Sequence, residues 1–168
     1  MTLTVWPYLK NEGLWSIPDP VMIGVRDKMC ELDRVKPTWY DGSIVSQEDF
    51  ISFVQDPYIF PSLVVDRDEV QFKLLAWLSE FNNGVARGHF CYLGKYDFDA
   101  GKMVLNFWKK LGTLKVIVGT TPESYKIVLK IIERLGFHAI GSIPDCCNMI
   151  YLNRREAGVI SYYLMGEN

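Results

Sequence analysis

The sequence predicts an α/β protein with a mixed, mostly antiparallel sheet flanked by about four helices. Strand-like apolar runs alternate with segments whose apolar residues recur every three or four positions, which is the spacing of one helix face. A central group of strand-like runs is separated only by short polar turns, which is typical of an antiparallel meander. The chain has 168 residues, of which 49% are hydrophobic and 23% charged. This balance is that of a globular protein, and the length predicts a single domain over 1–168.

The first third of the chain is expected to form an N-terminal strand or arm over 3–10 and two helices. Asp19-Pro20 places proline in the first turn of a helix that extends to about Arg34. A loop over 39–46 follows. Ser46 and Asp49 have the spacing of a capping box, so a second, short helix is expected to begin there and to end near Asp56.

The middle of the chain predicts three antiparallel strands over 58–65, 70–81 and 85–93. The polar segments 66–68 and 82–84 are the hairpin turns, and Asn83-Gly84 suits the positive φ angles of such a turn. A helix over 100–111 follows, with Asp97 or Asp99 as its N-cap.

The last third predicts a buried strand over 114–119 and a helix that begins at Pro122 and ends at Leu135. Ile127 is expected on the inward face of that helix, together with the other apolar residues of its stripe. Gly136 is the expected C-terminal stop. Two or three further strands are predicted, over 137–143, 147–153 and 159–164, with a turn over 156–158.

The charge balance argues against two classes of partner. With 18 basic and 20 acidic residues, the net charge is −2, so no nucleic-acid partner is expected. No apolar run approaches the roughly 18 residues of a membrane-spanning helix, so no membrane partner is expected. The N-terminus lacks a basic stretch followed by an apolar run, which predicts a cytoplasmic protein without a signal peptide.

The cysteines predict neither a metal site nor a disulfide framework. Cys30, Cys91, Cys146 and Cys147 form no C-x-x-C pair, and the chain has only two histidines. Reduced thiols, some packed as small apolar groups, are therefore expected. The alternative is a catalytic thiol, for which Cys91 qualifies because residues two apart on a strand share a face and His89 is its neighbour.

One segment carries a family resemblance. In residues 120–144, a helix ends in Glu133-Arg134-Leu135-Gly136-Phe137 and the following strand contains Gly141. This ending and the order of elements resemble the GNAT N-acetyltransferases, in particular those of the ribosomal-protein acetyltransferase type. Small GNAT-like proteins also occur in bacteriophages. The resemblance implies a GNAT-like sheet in which the strands 85–93 and 114–119 splay apart.

The resemblance also implies that acetyl-CoA is the cosubstrate and lies in the gap between those two strands. In the family, the pyrophosphate meets the N-terminus of the following helix. The corresponding stretch has two glycines and two lysines without the R/Q-x-x-G-x-G/A spacing, and it contains Asp97 and Asp99. The residues expected to bind the cosubstrate are Tyr92, Leu93, Gly94, Lys95, Gly101, Lys102 and Tyr125.

Two residues are candidates for the catalytic base that acyl transfer to an amine requires. His89 lies on the strand that carries the base in many family members, and Glu80 near the end of the preceding strand is the second candidate. Many GNAT enzymes carry an asparagine and a tyrosine on the helix that ends in Leu-Gly-Phe. Tyr125 and Ile132 occupy those positions here, and an isoleucine cannot donate a proton.

Three functional hypotheses follow. The first is an acyl-CoA-dependent N-acetyltransferase whose amine acceptor is a protein N-terminus, a lysine or a small molecule. The second is a GNAT-like binding or assembly protein without catalysis, bacteriophage proteins included, and the third is a small α/β protein unrelated to the family. Aromatic residues of the N-terminal half are candidates for an acceptor wall or a protein interface, with ordinary core packing as the alternative: Trp6, Trp15, Trp39, Tyr40, Tyr58 and Phe60.

Overall fold

A computed structural model describes residues 2–11 and 14–166, with only the backbone described at 11, 14 and 15. The strands are β1 (Leu3–Pro7), β2 (Lys10–Asn11), β3 (Leu14–Trp15), β4 (Phe60–Asp66), β5 (Gln71–Asn82), β6 (Val85–Tyr92), β7 (Val116–Pro122), β8 (His138–Met149) and β9 (Arg154–Leu164). The helices are α1 (Asp19–Glu31), α2 (Val35–Thr38), α3 (Gln47–Val54), α4 (Phe98–Lys110) and α5 (Lys126–Arg134), and a 3₁₀ turn covers Ile150–Leu152.

Seven of these strands form one sheet in the order β1-β4-β5-β6-β7-β9-β8, and β2 pairs with β3 separately. All neighbours in the large sheet are antiparallel except β6 and β7, which run parallel. The predicted mixed, mostly antiparallel α/β fold is therefore confirmed, and so is the predicted meander of β4, β5 and β6.

The sheet has apolar side chains on both faces, and each face is covered by different helices. One core contains Met22 and Val25 of α1 and Phe50 of α3, packed on the face of the sheet that carries Cys91. The other core contains Val104 and Trp108 of α4 on the opposite face, where Tyr92 points. Adjacent residues of β6 thus enter different cores, as the period-two geometry of a strand requires.

Two helix starts follow the sequence closely because side chains near them satisfy free backbone N–H groups. Ser46 Oγ accepts from the Asp49 N–H and the Asp49 carboxylate accepts from the Ser46 N–H, which is the predicted capping box of α3. Asp97, rather than Asp99, caps α4 by accepting from the Ala100 N–H at 3.1 Å.

Four details of the prediction are wrong. Pro122 does not open α5 but ends β7, opposite Gly158 of β9, and the helix begins at Lys126. The short helix α2 was not predicted. The segment 137–164 forms two strands, and its turn is misplaced in the prediction: residues 156–158 lie within β9, and the chain reverses at the 3₁₀ turn. Ile127 is 63% exposed instead of facing inward. The reversal falls where it does because Asn153 adopts a left-handed φ of 50°, which asparagine tolerates.

No helix within the described part of the chain is long and apolar enough to cross a bilayer.

Candidate active site

The sheet opens between its two parallel strands. β6 pairs with β7 only from Val85 to Arg87, opposite Val116 to Val118. Beyond that point β6 continues to pair with β5, and β7 continues to pair with β9. Gly88 follows the last pair on β6, and a Cβ atom there would lie 2.5 Å from Ile117 Cγ2. The strands therefore approach closely at Gly88 and diverge after it.

A cavity of about 160 Å³ lies where the strands diverge. Its walls are residues 88–92 of β6, residues 119–122 of β7, the inner side of α5, and residues that follow α1. Gly119 occupies the β7 side of the opening. A Cβ atom on Gly119 would lie 3.7 Å from the Gly88 carbonyl oxygen and 3.7 Å from Ser161 Oγ.

Two buried hydroxyl groups of the cavity wall have no hydrogen-bond partner among the residues that the structure describes: Ser161 Oγ on β9 and Tyr92 Oη on β6. Ser161 is 2% exposed and lies opposite Gly119 in the β7–β9 pairing. Burial raises the pKa of Tyr92 to about 12, so its hydroxyl remains a donor at neutral pH. A buried polar group without a partner is costly, so both hydroxyls are suited to bonding a polar ligand.

His89 lies in the cavity wall and is stacked on the core. Its ring lies parallel to Trp77 on β5, with 4.8 Å between ring centroids, and Trp77 stacks on the buried Trp39 at 5.4 Å. His89 Nε2 is 3.3 Å from Ser79 Oγ. Burial, with a smaller effect of the Arg87 charge, lowers the pKa of His89 to about 4. The imidazole is therefore neutral at pH 7 and able to accept a proton, although it is a weak base.

The lowered pKa of His89 makes stability depend on pH. The ordinary value is 6.5, so the unfolded chain binds a proton at His89 between pH 6.5 and about 4 while the folded chain does not. We expect the free energy of unfolding to fall by roughly 2 kcal/mol as the pH drops through that window, with the half-buried ring discounted for solvent screening. Urea titrations at several pH values measure this change in the free energy of unfolding. The His89→Phe variant should lack this share of the slope, whereas the exposed His138→Phe control should keep it; equal slopes in both variants would contradict the assignment.

The second candidate base lies outside the cavity wall. The Glu80 side chain is 65% exposed, and its carboxylate lies 3.0 Å from Arg87 Nε. Arg87 Nη1 in turn lies 3.4 Å from Thr120 Oγ1, which belongs to the wall. Cys91 is buried in the wall, and burial raises its pKa to about 11, so the thiol stays protonated at neutral pH.

The residues predicted to bind the cosubstrate are divided between two places. Tyr92 and Tyr125 line the cavity, and the Tyr125 ring meets Tyr40 edge-on at 6.4 Å. Leu93, Gly94 and Lys95 line an adjoining depression beside Lys73, and Tyr96 lines both the depression and the cavity.

Gly101 and Lys102 lie in the first turns of α4. A Cβ atom on Gly101 would lie 2.6 Å from Tyr92 Oη and 2.9 Å from Leu135, so the glycine allows α4 to pack against β6. The ammonium of Lys102 lies 4.6 Å from the centre of the Phe98 ring, which the Arg134 guanidinium also faces, at 5.2 Å.

Sequence reasoning missed several contributors to the cavity, among them Arg34, Trp77 and Ser161. Of the aromatic residues proposed as an acceptor wall, Tyr40 lines the cavity, and Trp39 supports it through Trp77. Tyr58 is 78% exposed, and Phe60 stacks on Phe107 against α4. The Trp15 side chain lies outside the described residues. Within the described ranges, no three His, Cys, Asp or Glu side chains are grouped closely enough to hold a metal ion.

The sequence matches no protein-family model and no curated protein. Solved structures do match. An acetyltransferase of the GNAT family from Bacillus anthracis superposes with a TM-score of 0.73 at 17% identity, covering 98% of this chain and 96% of that one. Ribosomal-protein-S5-alanine acetyltransferase from Vibrio fischeri gives 0.69 at 13% identity, with 90% and 91% covered. Spermidine N-acetyltransferase from Vibrio cholerae, solved with CoA and spermine, gives 0.71 at 15% identity, with 97% and 95% covered. The chain therefore has the fold of the GNAT acetyltransferases.

Proposed function

We propose that this chain, acting as a single domain over 1–168, is an acyl-CoA-dependent N-acetyltransferase with an amine acceptor. The observation that carries the proposal is the cavity between β6 and β7, which begins where their pairing stops after Arg87. A strand edge without a neighbour offers backbone N–H and C=O groups to an extended ligand. The pantetheine arm of acetyl-CoA is such a ligand, and the solved CoA complex of the Vibrio cholerae enzyme supports the same assignment by its fold.

The residues of the cavity fit the thioester end of the cosubstrate. Ser161 Oγ, buried and unpartnered opposite Gly119, is suited to donating to the carbonyl oxygen, where negative charge develops during acyl transfer. Acetyl-CoA supplies an acetyl group on a thioester, and the products are the acetylated amine and the CoA thiol. We assign Tyr92 and Tyr125 to cosubstrate binding, because both line the cavity and both have a pKa raised by burial, which keeps their hydroxyls protonated.

Acyl transfer requires the acceptor as a neutral amine, and the cavity favours that form. Its wall carries aromatic and aliphatic side chains, including Trp77, Ile131 and Ile132. Desolvation by such surroundings disfavours an ammonium ion. We assign His89 the role of accepting the amine proton, because it is the neutral nitrogen base in the wall. Ile132 offers no proton for the departing thiolate, so a hydroxyl group of the wall must replace the tyrosine found there in many GNAT enzymes.

A second function, binding without catalysis, is favoured by one observation. The Asp97 carboxylate accepts from the Ala100 N–H, which is one of the N–H groups at the α4 N-terminus that a pyrophosphate would use. The carboxylate also repels phosphate. This contact opposes tight binding of CoA at the helix end. It is what we would expect of a protein that retains the fold but does not catalyse acetyl transfer.

Calorimetric titration with acetyl-CoA tests the proposed function. We expect a Kd on the order of 1–100 µM, with a matching rise in melting temperature. Desulfo-CoA should also bind, and ADP should bind far more weakly, because the pantetheine arm carries the contacts with β6 and β7. The Asp97→Asn variant keeps the helix cap and removes the charge, so it should bind acetyl-CoA several-fold more tightly. No binding at millimolar acetyl-CoA by either protein would overturn the proposed function.

A further inference from the structure

The cavity wall is almost without charge. Among the described residues that line it there is no aspartate or glutamate, and Arg34 is the one lysine or arginine. His89 is neutral at pH 7. A polycation such as spermidine would therefore meet no carboxylate in this cavity, and its ammonium groups would face Arg34. The wall is therefore poorly suited to a polyamine acceptor, the class of substrate for which some structural neighbours are named.

The Arg34 guanidinium contacts an aromatic ring but has no ion-pair partner among the described residues. Its Nε is buried without a hydrogen bond to any described residue. The group lies over the Tyr96 ring, 5.7 Å from the ring centre, and both residues line the cavity. A buried donor left unsatisfied costs free energy that an incoming acceptor atom would recover. A carboxylate is the matching group, because a guanidinium bonds it through two parallel N–H donors.

The surroundings of Arg34 place this anion site on the acceptor side. Arg34 follows α1, and its charge acts on the Cys91 thiol, which belongs to the core shared with α1 and α3. Of the two tyrosines assigned to the cosubstrate, Tyr92 points to the opposite face, against α4, and its ring meets Tyr96 edge-on at 5.3 Å. A phosphate of CoA is the other anion that Arg34 would bind, and the experiment below distinguishes it from an acceptor carboxylate.

Aromatic rings also line this side of the cavity. Trp77, His89 and Tyr40 line it, and the parallel stack that Trp77 forms with Trp39 and His89 holds two of these rings in fixed orientation. Such a wall favours an apolar or aromatic body over a flexible polar one.

We infer that the acceptor is an amine that also carries a carboxylate and an apolar or aromatic side chain, as free amino acids do; this inference rests on the proposed acetyl transfer. Arg34 binds the carboxylate, the Trp77 and Tyr40 side of the cavity receives the side chain, and the amine faces His89 where β6 and β7 diverge.

An acceptor panel tests the inference. Phenylalanine, phenylalanine amide and spermidine are offered with acetyl-CoA, and released CoA thiol is measured. We expect kcat/KM for phenylalanine to exceed that for its amide by about 10- to 100-fold, with spermidine poorest. Arg34→Gln should abolish the preference for the carboxylate while the KM for acetyl-CoA stays within about twofold, and Arg34→Lys should retain part of it. Lys36→Gln removes an exposed charge outside the cavity wall and should match the unmodified protein.

Each other outcome has a distinct meaning. A preference for spermidine, or a carboxylate preference that survives Arg34→Gln, would overturn the inference and leave the acetyltransferase intact. A weaker affinity for acetyl-CoA in Arg34→Gln with unchanged acceptor selectivity would assign Arg34 to a CoA phosphate and likewise overturn it. If the unmodified protein fails to bind acetyl-CoA in a direct titration, the proposed function is contradicted, and so is the inference that depends on it. Melting temperatures of all variants establish that they fold.

Discussion

Replacing Gly119 with leucine is expected to weaken acetyl-CoA binding severely and to leave the fold intact. The Gly119 Cα borders the opening between β6 and β7, and a Cβ atom there meets only ordinary contacts, the Gly88 carbonyl oxygen and Ser161 Oγ, each at 3.7 Å. The rest of a leucine side chain would have to occupy the cavity that the thioester requires. We expect the Kd for acetyl-CoA to rise by about 100-fold or more, because the leucine side chain and the thioester would overlap inside the cavity, where neither has room to move aside.

Calorimetry on the variant, with its melting temperature, measures this effect. Gly119→Ala is the matched control, because a single methyl group fits the space and should change the Kd by only a few-fold. Gly24→Ala, in α1, where a new Cβ atom would meet nothing within 4 Å, controls for the loss of a glycine as such. Unchanged affinity in a folded Gly119→Leu protein would move the cosubstrate away from this gap and remove the basis of the proposed function.

The sequence predicted those elements whose ends are determined by local chemistry. The capping box at Ser46 and the cap at Asp97 act through side chains within three residues of the helix start, so the sequence alone contains them. The end of β7 is different. Thr121-Pro122 has the pattern of a helix start, but pairing with Gly158 and Val159 of β9 keeps both residues in the sheet. The partner strand lies more than 30 residues away, so local sequence could not indicate it.

The site was predictable only where the resemblance pointed to a particular strand or helix. His89 and Tyr125 line the cavity, and their roles remain predictions. Arg34 had no such signal, because the sequence indicated it only as the approximate end of the first predicted helix. Its guanidinium becomes informative only when Tyr96 and the cavity are seen beside it. Ser161 is one small polar residue in an apolar strand. Its significance depends on its position opposite Gly119, which is a tertiary fact.

The Trp108→Ala variant is expected to lose the most stability. Trp108 in α4 is fully buried, its Nε1 donates to Ser62 Oγ at 3.0 Å, and its ring packs on Phe90 of β6 with 5.6 Å between centroids. Truncating a buried tryptophan costs about 3–5 kcal/mol. The substitution also removes the hydrogen-bond donor to the hydroxyl of Ser62, which is fully buried in β4. A buried polar group without a partner costs about 1–3 kcal/mol where no water replaces that partner.

Urea unfolding separates these two contributions. Trp108→Phe retains most of the ring and loses the N–H donor, so we expect a loss of about 1–2 kcal/mol, while Ser62→Ala removes the acceptor from the same bond. If the bond matters, the double variant Trp108→Phe/Ser62→Ala should be less destabilised than the sum of the two single variants. A loss below about 1 kcal/mol in Trp108→Ala would contradict the packing of α4 on the sheet.

Trp108 also supports β6 at the point where it diverges from β7, because it lies 3.9 Å from the position that a Cβ atom on Gly88 would occupy. Folded Trp108→Phe should therefore bind acetyl-CoA with nearly unchanged affinity, since the remaining ring still supports that point.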